Sequence, residues 1–102
     1  MHLSIVIPAY NEETRIEATL REAADWLAAQ SFDSEIVVVD DGSRDATGNK
    51  VAAFAQHSPV PLRLVTLPEN RGKGAAVRIG MFETAQGDYR AFSDADASTP
   101  LS

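Results

Sequence analysis

The sequence contains no cysteine, so disulfide bonds, thiolate metal sites and cysteine nucleophiles are excluded. Basic residues are also scarce: nine Lys and Arg stand against fifteen Asp and Glu and leave a formal net charge of -6. No basic stripe offsets this charge, so a nucleic-acid backbone would be repelled. Nucleic acid is therefore not expected as a partner, and the lack of cysteine fits a reducing compartment such as the cytoplasm.

Long hydrophobic runs are missing as well. The apolar run at Leu3–Ile7 is far too short to span a membrane and ends at Pro8. Hydrophobic residues nevertheless make up 44% of the 102 residues, which is enough for the core of one domain. The chain is small for an enzyme, so we expect it to be part of something larger.

What the sequence does contain is an alternation of two hydrophobic periods. Short β-branched runs of strand length alternate with segments whose apolar residues recur at helical spacing. Strands are predicted at residues 3–7, 35–39, 62–67 and 89–93, and helices at residues 13–30, 46–57 and 74–84. The first helix has Asn11 or Thr14 as its candidate N-cap, and the second has Asp45. The order βαβαβαβ predicts an α/β fold with a Rossmann-like, doubly wound parallel sheet.

Polar clusters follow every predicted strand. They are Pro8–Glu12, Asp40–Ser43, Glu69–Gly74 and Asp94–Asp96. The carboxyl ends of parallel strands lie at one edge of a sheet, where open α/β sheets bind their ligands. Together the clusters predict one site at that edge.

Asp94 and Asp96, on either side of Ala95, are the most informative pair. Two carboxylates at a strand end can hold Mg²⁺ or Mn²⁺ and leave room for phosphate oxygens. A nucleotide diphosphate is the expected ligand, and in an acidic chain the metal and Lys73 would offset its charge. Taken alone, a D-x-D pair is more often a solvated turn.

The other clusters each have two interpretations. The cluster after strand two is either a turn with a helix cap or a place where Asp41 accepts a hydrogen bond from a base or ribose. The loop Asn70–Gly74 is either a solvated basic loop or a phosphate cradle that includes Lys73. Pro8 and Tyr10 either end a strand and pack together or form a slot for a planar base.

In this order the clusters resemble the nucleotide-binding half of a family 2 glycosyltransferase with the GT-A fold. The resemblance covers nearly the whole chain and rests on the segments Ser4–Glu12, Val38–Thr47, Asn70–Gly74 and Asp94–Asp96. Lys73–Met81 and Ser93–Pro100 are most similar to the branch that glycosylates dolichyl or other polyprenyl phosphates, the dolichyl-phosphate β-glucosyltransferases in particular.

Carried over by motif, the resemblance implies roles for particular residues. Asp94 and Asp96 would hold Mg²⁺ or Mn²⁺ against the diphosphate, with Asp94 also reaching the ribose. Asp41 would bond the base, and Lys73 would lie near the base and phosphates. The implied nucleotide-binding set is Pro8, Ala9, Tyr10, Glu12, Asp41, Lys73 and Asp94. No catalytic residue is assigned.

The implied activity is inverting transfer of a sugar from a donor of the UDP-glucose or GDP-mannose type to an acceptor, for which a polyprenyl phosphate is expected. Residues 1–102 would be the nucleotide-sugar-binding half of a GT-A domain, with the acceptor half absent, and would be inactive alone. The implied strand order is 3-2-1-4, which leaves strand four a free edge where two copies would pair as a homodimer. Association with the cytoplasmic face of a membrane would involve the missing C-terminal part.

Two other classes remain open. A signalling receiver domain also has a doubly wound sheet, paired aspartates at a strand end and a lysine, although here the pair follows strand two instead of strand one. A nucleotide-binding module without chemistry is the second alternative. UDP with Mn²⁺ should bind an enzyme or a binding module but not a receiver, and turnover separates the first two.

Overall fold

The computed structural model describes residues 2–84 and 89–92, with the side chains of residues 2–82. The strands are β1 (His2–Ala9), β2 (Asp33–Asp40), β3 (Leu62–Thr66) and β4 (Tyr89–Phe92). The helices are α1 (Ile16–Ala28), α2 (Thr47–Ala55) and α3 (Lys73–Arg78), which continues into a π-helical turn, Ile79–Thr84. All strand pairs are parallel and their order is β3-β2-β1-β4, which confirms the predicted sheet.

β1 and β2 form the centre of the sheet. The last six residues of β1 and the last seven of β2 are buried, as is typical of parallel strands covered on both faces. One core layer, against α1 and α2, includes Ile5, Ile7, Ile36 and Val38, and the other, against α3, includes Val6, Val37 and Val39. The alternation of these side chains therefore produces the doubly wound arrangement.

α1 begins at Ile16, three residues later than predicted. The Glu12 carbonyl accepts hydrogen bonds from the amides of Arg15 (3.0 Å) and Ile16 (2.8 Å), so a turn precedes the helix. The prediction of Asn11 or Thr14 as N-cap is wrong, because Arg15 holds that position and no side chain caps the helix. Asn11 instead adopts a φ of 50° and connects two loops of the site.

The predicted helix at residues 74–84 is divided between α3 and the π-helical turn. Gly80 lies where this turn meets the sheet, and a Cβ there would collide with Val6 Cγ1. Glycine thus lets the turn pack directly on β1. Neither this segment nor any other helix among the described residues is long and apolar enough to cross a membrane.

Candidate functional site

The carboxyl ends of β1, β2 and β3 border a cleft of about 420 Å³. Its walls are Tyr10, Gly42, Ser43, Arg44, Thr66, Leu67, Pro68, Glu69 and Asn70. The volume falls within the range of about 300–1,000 Å³ that is typical of small-molecule sites. Tyr10, 42% exposed, contributes an aromatic surface to the cleft. The cleft therefore lies where the first three polar clusters of the sequence meet.

Asp41, directly after β2, is buried and binds the loop that follows β3. Its Oδ1 accepts a hydrogen bond from the Arg71 amide at 2.7 Å, and its Oδ2 accepts from the Gly72 amide at 2.8 Å. Asn70 Nδ2 also donates to Oδ2, at 3.0 Å. A carboxylate has about four lone-pair sites, so these three bonds leave one on Oδ1 for a further donor.

Gly42 allows this loop to lie against the end of β2. Its φ of 74° is in the left-handed region, and a Cβ there would be 2.6 Å from both Asn70 N and Glu69 C. Both neighbours are backbone atoms and cannot turn away as a side chain would. The close approach of the two loops therefore depends on glycine after Asp41.

Asn11 connects the loop after β1 to the loop after β2. Its amide donates to Ser43 Oγ at 2.9 Å, and its Oδ1 accepts from the Arg44 amide at 2.9 Å. Asparagine is one of the few residues that adopt a positive φ readily. This residue thus turns the chain after Tyr10 and fixes the turn to the neighbouring loop.

Asp45 and Thr47 make a second connection between the same loops. The Glu12 amide donates to Thr47 Oγ1 at 2.8 Å, and the Glu13 amide donates to Asp45 Oδ2 at 3.3 Å. Asp45 Oδ1 accepts from the Thr47 amide at 2.9 Å and also from the Thr47 hydroxyl. The N-cap position of α2 belongs to Ala46 and not to Asp45, but the Asp45 carboxylate still binds the first helical amide.

The charge on Asp45 is favoured by these contacts. Desolvation favours the neutral acid, but hydrogen bonds from Thr47 and from the Glu13 amide outweigh it, so the pKa of Asp45 lies below its ordinary value. The carboxylate is therefore the form that binds the two loops together.

Residues 4–100 match the sequence profile described as Glycosyl transferase family 2. The chain belongs to glycosyl transferase family 2. Among its curated relatives, the dolichyl-phosphate beta-glucosyltransferase of Drosophila melanogaster is 42% identical over 105 residues, covering 97% of this chain and 32% of the relative. The chain thus spans about a third of the length of the curated relatives it matches.

Solved structures of the family share the fold. The mannosyltransferase PcManGT from Pyrobaculum calidifontis, in complex with GDP-Man and Mn²⁺, has a TM-score of 0.80 and 33% identity over 92% of this chain and 27% of its own. S. aureus TarS 1–349 in complex with UDP has a TM-score of 0.80 and 31% identity over 94% of this chain and 28% of its own. These neighbours are GT-A glycosyltransferases, as predicted, and family membership excludes the receiver domain.

Two predicted nucleotide-binding residues, Pro8 and Ala9, belong to β1, which ends two residues later than predicted. The Ala9 carbonyl accepts from the Asp41 amide at 2.8 Å, on the side of β2. The backbone N–H and C=O groups of successive strand residues point to opposite neighbouring strands, so those of Pro8 point toward β4. The described pairing of β1 with β4 ends at Val6 of β1. Pro8 therefore costs the described ladder no hydrogen bond and does not terminate the strand.

The other predicted nucleotide-binding residues occupy different environments. The Glu12 Oε2 atom accepts from Arg15 Nε at 3.0 Å and from its terminal nitrogen at 2.7 Å, which leaves Oε1 outside this pair. Lys73 is exposed and is the first residue of α3. Of the predicted set, Tyr10 lines the cleft directly, and Asp41 reaches it through Asn70.

The predicted metal ligands Asp94 and Asp96 lie outside the described residues. Among the residues that are described, no group of three or more His, Asp or Glu side chains could hold a metal ion. Four cleft residues, Arg44 and Thr66–Pro68, lie outside the polar clusters that the sequence predicted. Their position beside those clusters was the one available signal, since Thr66 and Leu67 fall within the predicted third strand itself.

We predict that Gly42→Ala destabilises the fold by about 1–3 kcal/mol, because the new methyl group meets two backbone atoms at a positive φ. Gly74→Ala is the matched control: nothing lies within 4 Å of its Cβ position, and alanine favours the helix by about 0.5–1 kcal/mol. Urea unfolding of both variants measures the difference. Equal stability of the two would contradict the close approach of the loops.

Proposed function

We propose that residues 1–102 are the nucleotide-sugar-binding part of a metal-dependent, inverting glycosyltransferase. The donor is a nucleotide-diphosphate sugar of the UDP-glucose or GDP-mannose type, and the acceptor is a polyprenyl phosphate. The observation that carries the proposal is the cleft beside Tyr10 and the Asp41-bound loop, in a chain of glycosyl transferase family 2. The similarity to dolichyl-phosphate beta-glucosyltransferases supports the acceptor class.

In this proposal the base enters the cleft beside the exposed Tyr10 ring, which offers an aromatic surface for stacking. The remaining acceptor site on Asp41 Oδ1 receives an N–H group of the base. Pro8, Ala9 and Glu12 border the base and ribose from the end of β1 and its loop. These assignments follow the family resemblance and agree with the placement of all three loops at one edge.

The diphosphate brings negative charge to a chain whose net charge is -6, so a cation is required. Asp94 and Asp96 provide the hard oxygen ligands that Mg²⁺ or Mn²⁺ prefers, and Asp94 also contacts the ribose. The metal would neutralise charge on the departing diphosphate. Lys73, at the start of α3, adds positive charge near the base and phosphates. The solved complex of PcManGT with GDP-Man and Mn²⁺ supports a divalent cation in this family.

The acceptor accounts for the lack of an assigned catalytic base. The second ionisation of a phosphate monoester has a pKa of about 6, so the dianion is abundant at neutral pH. A phosphate oxygen then attacks the anomeric carbon, the bond to the diphosphate breaks with inversion, and the nucleotide diphosphate leaves. No side chain has to remove a proton in this step.

A lipid-linked acceptor places the reaction at a membrane. We therefore propose that the protein works in the cytoplasm or at the cytoplasmic face of a membrane, with membrane contacts made by parts of the enzyme beyond this sequence. The matched region is 32% of the Drosophila protein, so that relative has further residues in which such contacts could be made. In this proposal the acceptor half of the GT-A domain corresponds to the same further residues.

Titration calorimetry with the full-length enzyme that contains this chain tests the proposal. We expect one of UDP-glucose and GDP-mannose to bind in the presence of Mn²⁺ and not in EDTA. Asp94→Ala and Asp96→Ala should each lose more than about tenfold in metal-dependent affinity, because Mg²⁺ and Mn²⁺ are held by hard oxygen ligands and alanine offers none. Asp25→Ala, which changes an exposed aspartate of α1, is the matched control. Undiminished Mn²⁺-dependent binding in both site variants would overturn the metal assignment.

Turnover decides between an enzyme and a catalytically silent binding module. The full-length protein should transfer labelled sugar from the bound donor to a polyprenyl phosphate, measured as label in the lipid phase. Binding of the donor without transfer to any polyprenyl phosphate would favour the silent module.

For Asp41 we predict that Asp41→Ala weakens binding of UDP by about 1–3 kcal/mol, the usual effect of removing a partner of a buried polar group. The loop Asn70–Gly72 also loses its anchor, so a base-free ligand is needed as a control. Calorimetry with uridine and with Mn²⁺-pyrophosphate provides it. A loss seen with uridine but not with pyrophosphate supports base recognition, and an equal loss with both would mean that Asp41 only positions the loop.

We also propose that two copies of this chain pair through β4. This strand lies at one edge of the described sheet, and an unpaired edge strand invites pairing with another chain. A two-fold symmetric dimer is the commonest closed arrangement for identical chains. Sedimentation equilibrium of residues 1–102 over a wide concentration range should show a monomer–dimer equilibrium. A species that stays monomeric at every concentration would refute the pairing.

A further inference from the structure

Three consecutive backbone amides after Tyr10 are bound by three different side chains of the segment that follows β2. The amide of Asn11 donates to Ser43 Oγ at 2.9 Å, and the amide of Glu12 donates to Thr47 Oγ1 at 2.8 Å. The amide of Glu13 donates to Asp45 Oδ2 at 3.3 Å. These N–H groups precede α1 and have no place in its hydrogen-bond pattern, so the side chains replace the partners that a helix would give.

Thr47 is the central member of this set. It is fully buried, and its hydroxyl accepts from the Glu12 amide while it donates to Asp45 Oδ1. Its own amide binds the same carboxylate oxygen at 2.9 Å. The hydroxyl therefore joins the β1 loop to the first turn of α2, and a side chain of the same shape without the oxygen would leave the Glu12 amide unpaired.

We propose that Thr47, supported by Asp45, is a positioning residue that holds the segment Tyr10–Glu12 in the conformation in which Tyr10 borders the cleft. This inference rests on the proposed nucleotide-binding function. A flexible segment would have to be ordered when a ligand binds, and that entropy cost would weaken the complex. Nucleotide affinity therefore depends on a hydroxyl group that lines no part of the cleft.

The geometry favours this role over a simple cap of α2. A residue that only capped α2 would bind amides of its own helix, whereas Thr47 Oγ1 receives the amide of Glu12, 35 residues earlier in the chain. Asp45 likewise divides its two oxygens, since Oδ1 serves Thr47 and Oδ2 serves Glu13. Lys50 adds a further contact in the same direction by donating from Nζ to the Glu13 carbonyl at 2.8 Å.

The test compares Thr47→Val, which keeps the shape and removes the hydroxyl, with Thr47→Ser, which keeps the hydroxyl. Amide hydrogen exchange of residues 11–13 reports the loop, and exchange of the central strand amides reports the fold as a whole. Calorimetry with UDP and Mn²⁺ on the full-length enzyme reports the function. Thr14→Val, an exposed threonine in the adjoining turn, is the matched control.

We expect Thr47→Val to raise the exchange rate of the Glu12 amide about tenfold or more, with strand amides unchanged, and to weaken UDP binding by about tenfold. Thr47→Ser should restore both values, and Thr14→Val should change neither. Unchanged exchange at Glu12, or faster exchange with full UDP affinity, would overturn the positioning role. If Thr47→Val does not fold, Asp45→Asn replaces it, with the same loop exchange and affinity loss expected and the same outcomes against it.

The outcome also separates this inference from the function on which it rests. If the unmodified enzyme binds neither nucleotide sugar, the proposed function is wrong and the positioning role falls with it. If the unmodified enzyme binds UDP and only the comparison of Thr47 variants fails, the nucleotide site stands and Thr47 has no part in positioning it.

Discussion

The parallel pairing of β1 with β2 is the interaction on which the rest of the structure depends. It runs without interruption from His2 opposite Asp33 to Ala9 opposite Asp40, and the bond from the Asp41 amide to the Ala9 carbonyl extends it by one step. Because the pairing is parallel and in full register, both strands end at the same level. The loops that carry Tyr10 and Asp41 therefore leave the sheet side by side.

Carboxylates that accept hydrogen bonds from backbone amides recur at this edge, both within a loop and between loops. Asp40 Oδ1 accepts from the Ser43 amide at 3.0 Å, Asp41 accepts from two amides of the β3 loop, and Asp45 accepts from the amides of Glu13 and Thr47. Bonds of this kind are stronger than those between neutral groups. They also stabilise negative charge without any Lys or Arg side chain, which suits an acidic chain that has few basic residues.

Two kinds of residue can thus be distinguished at the site. Tyr10 and the segment Thr66–Asn70 border the cleft, where a ligand would be in contact with them. Asn11, Asp45 and Thr47 fix the loops through hydrogen bonds. Asp41 also supports the site, since its carboxylate anchors the loop after β3 and thereby positions Asn70 at the cleft. Changes to the supporting residues are therefore expected to alter affinity without removing any direct contact.

The proposed function would give this division a chemical reason. In that proposal a nucleotide sugar is held by its nucleotide while the bond at the anomeric carbon breaks, and a rigid nucleotide site contributes to that positioning. A site whose loops are fixed before the ligand arrives also avoids the entropy cost of ordering them. The hydrogen bonds that fix the segment after Tyr10 fit such a preformed site.

The sequence by itself determined the α/β class, the alternation of strands and helices, and the edge of the sheet where the polar clusters collect. These follow from local hydrophobic periods and from the geometry of parallel strands, so no long-range information is needed. The helix starts were less accurate: Asn11 looked like an N-cap, but its side chain accepts from the Arg44 amide, 33 residues later. The same residue types cap helices and connect loops, and only the hydrogen-bond partner distinguishes the two roles.

The tertiary structure alone decided what the polar side chains bind. The partners of Asp41 lie 29 to 31 residues away and two of them are backbone amides, which carry no signal in a sequence. The last helix becomes π-helical at Ile79, and the close packing of Gly80 in this turn is against Val6 in another element. Local patterns specify where the chain turns, but hydrogen-bond partners and close backbone contacts depend on which segments the fold brings together.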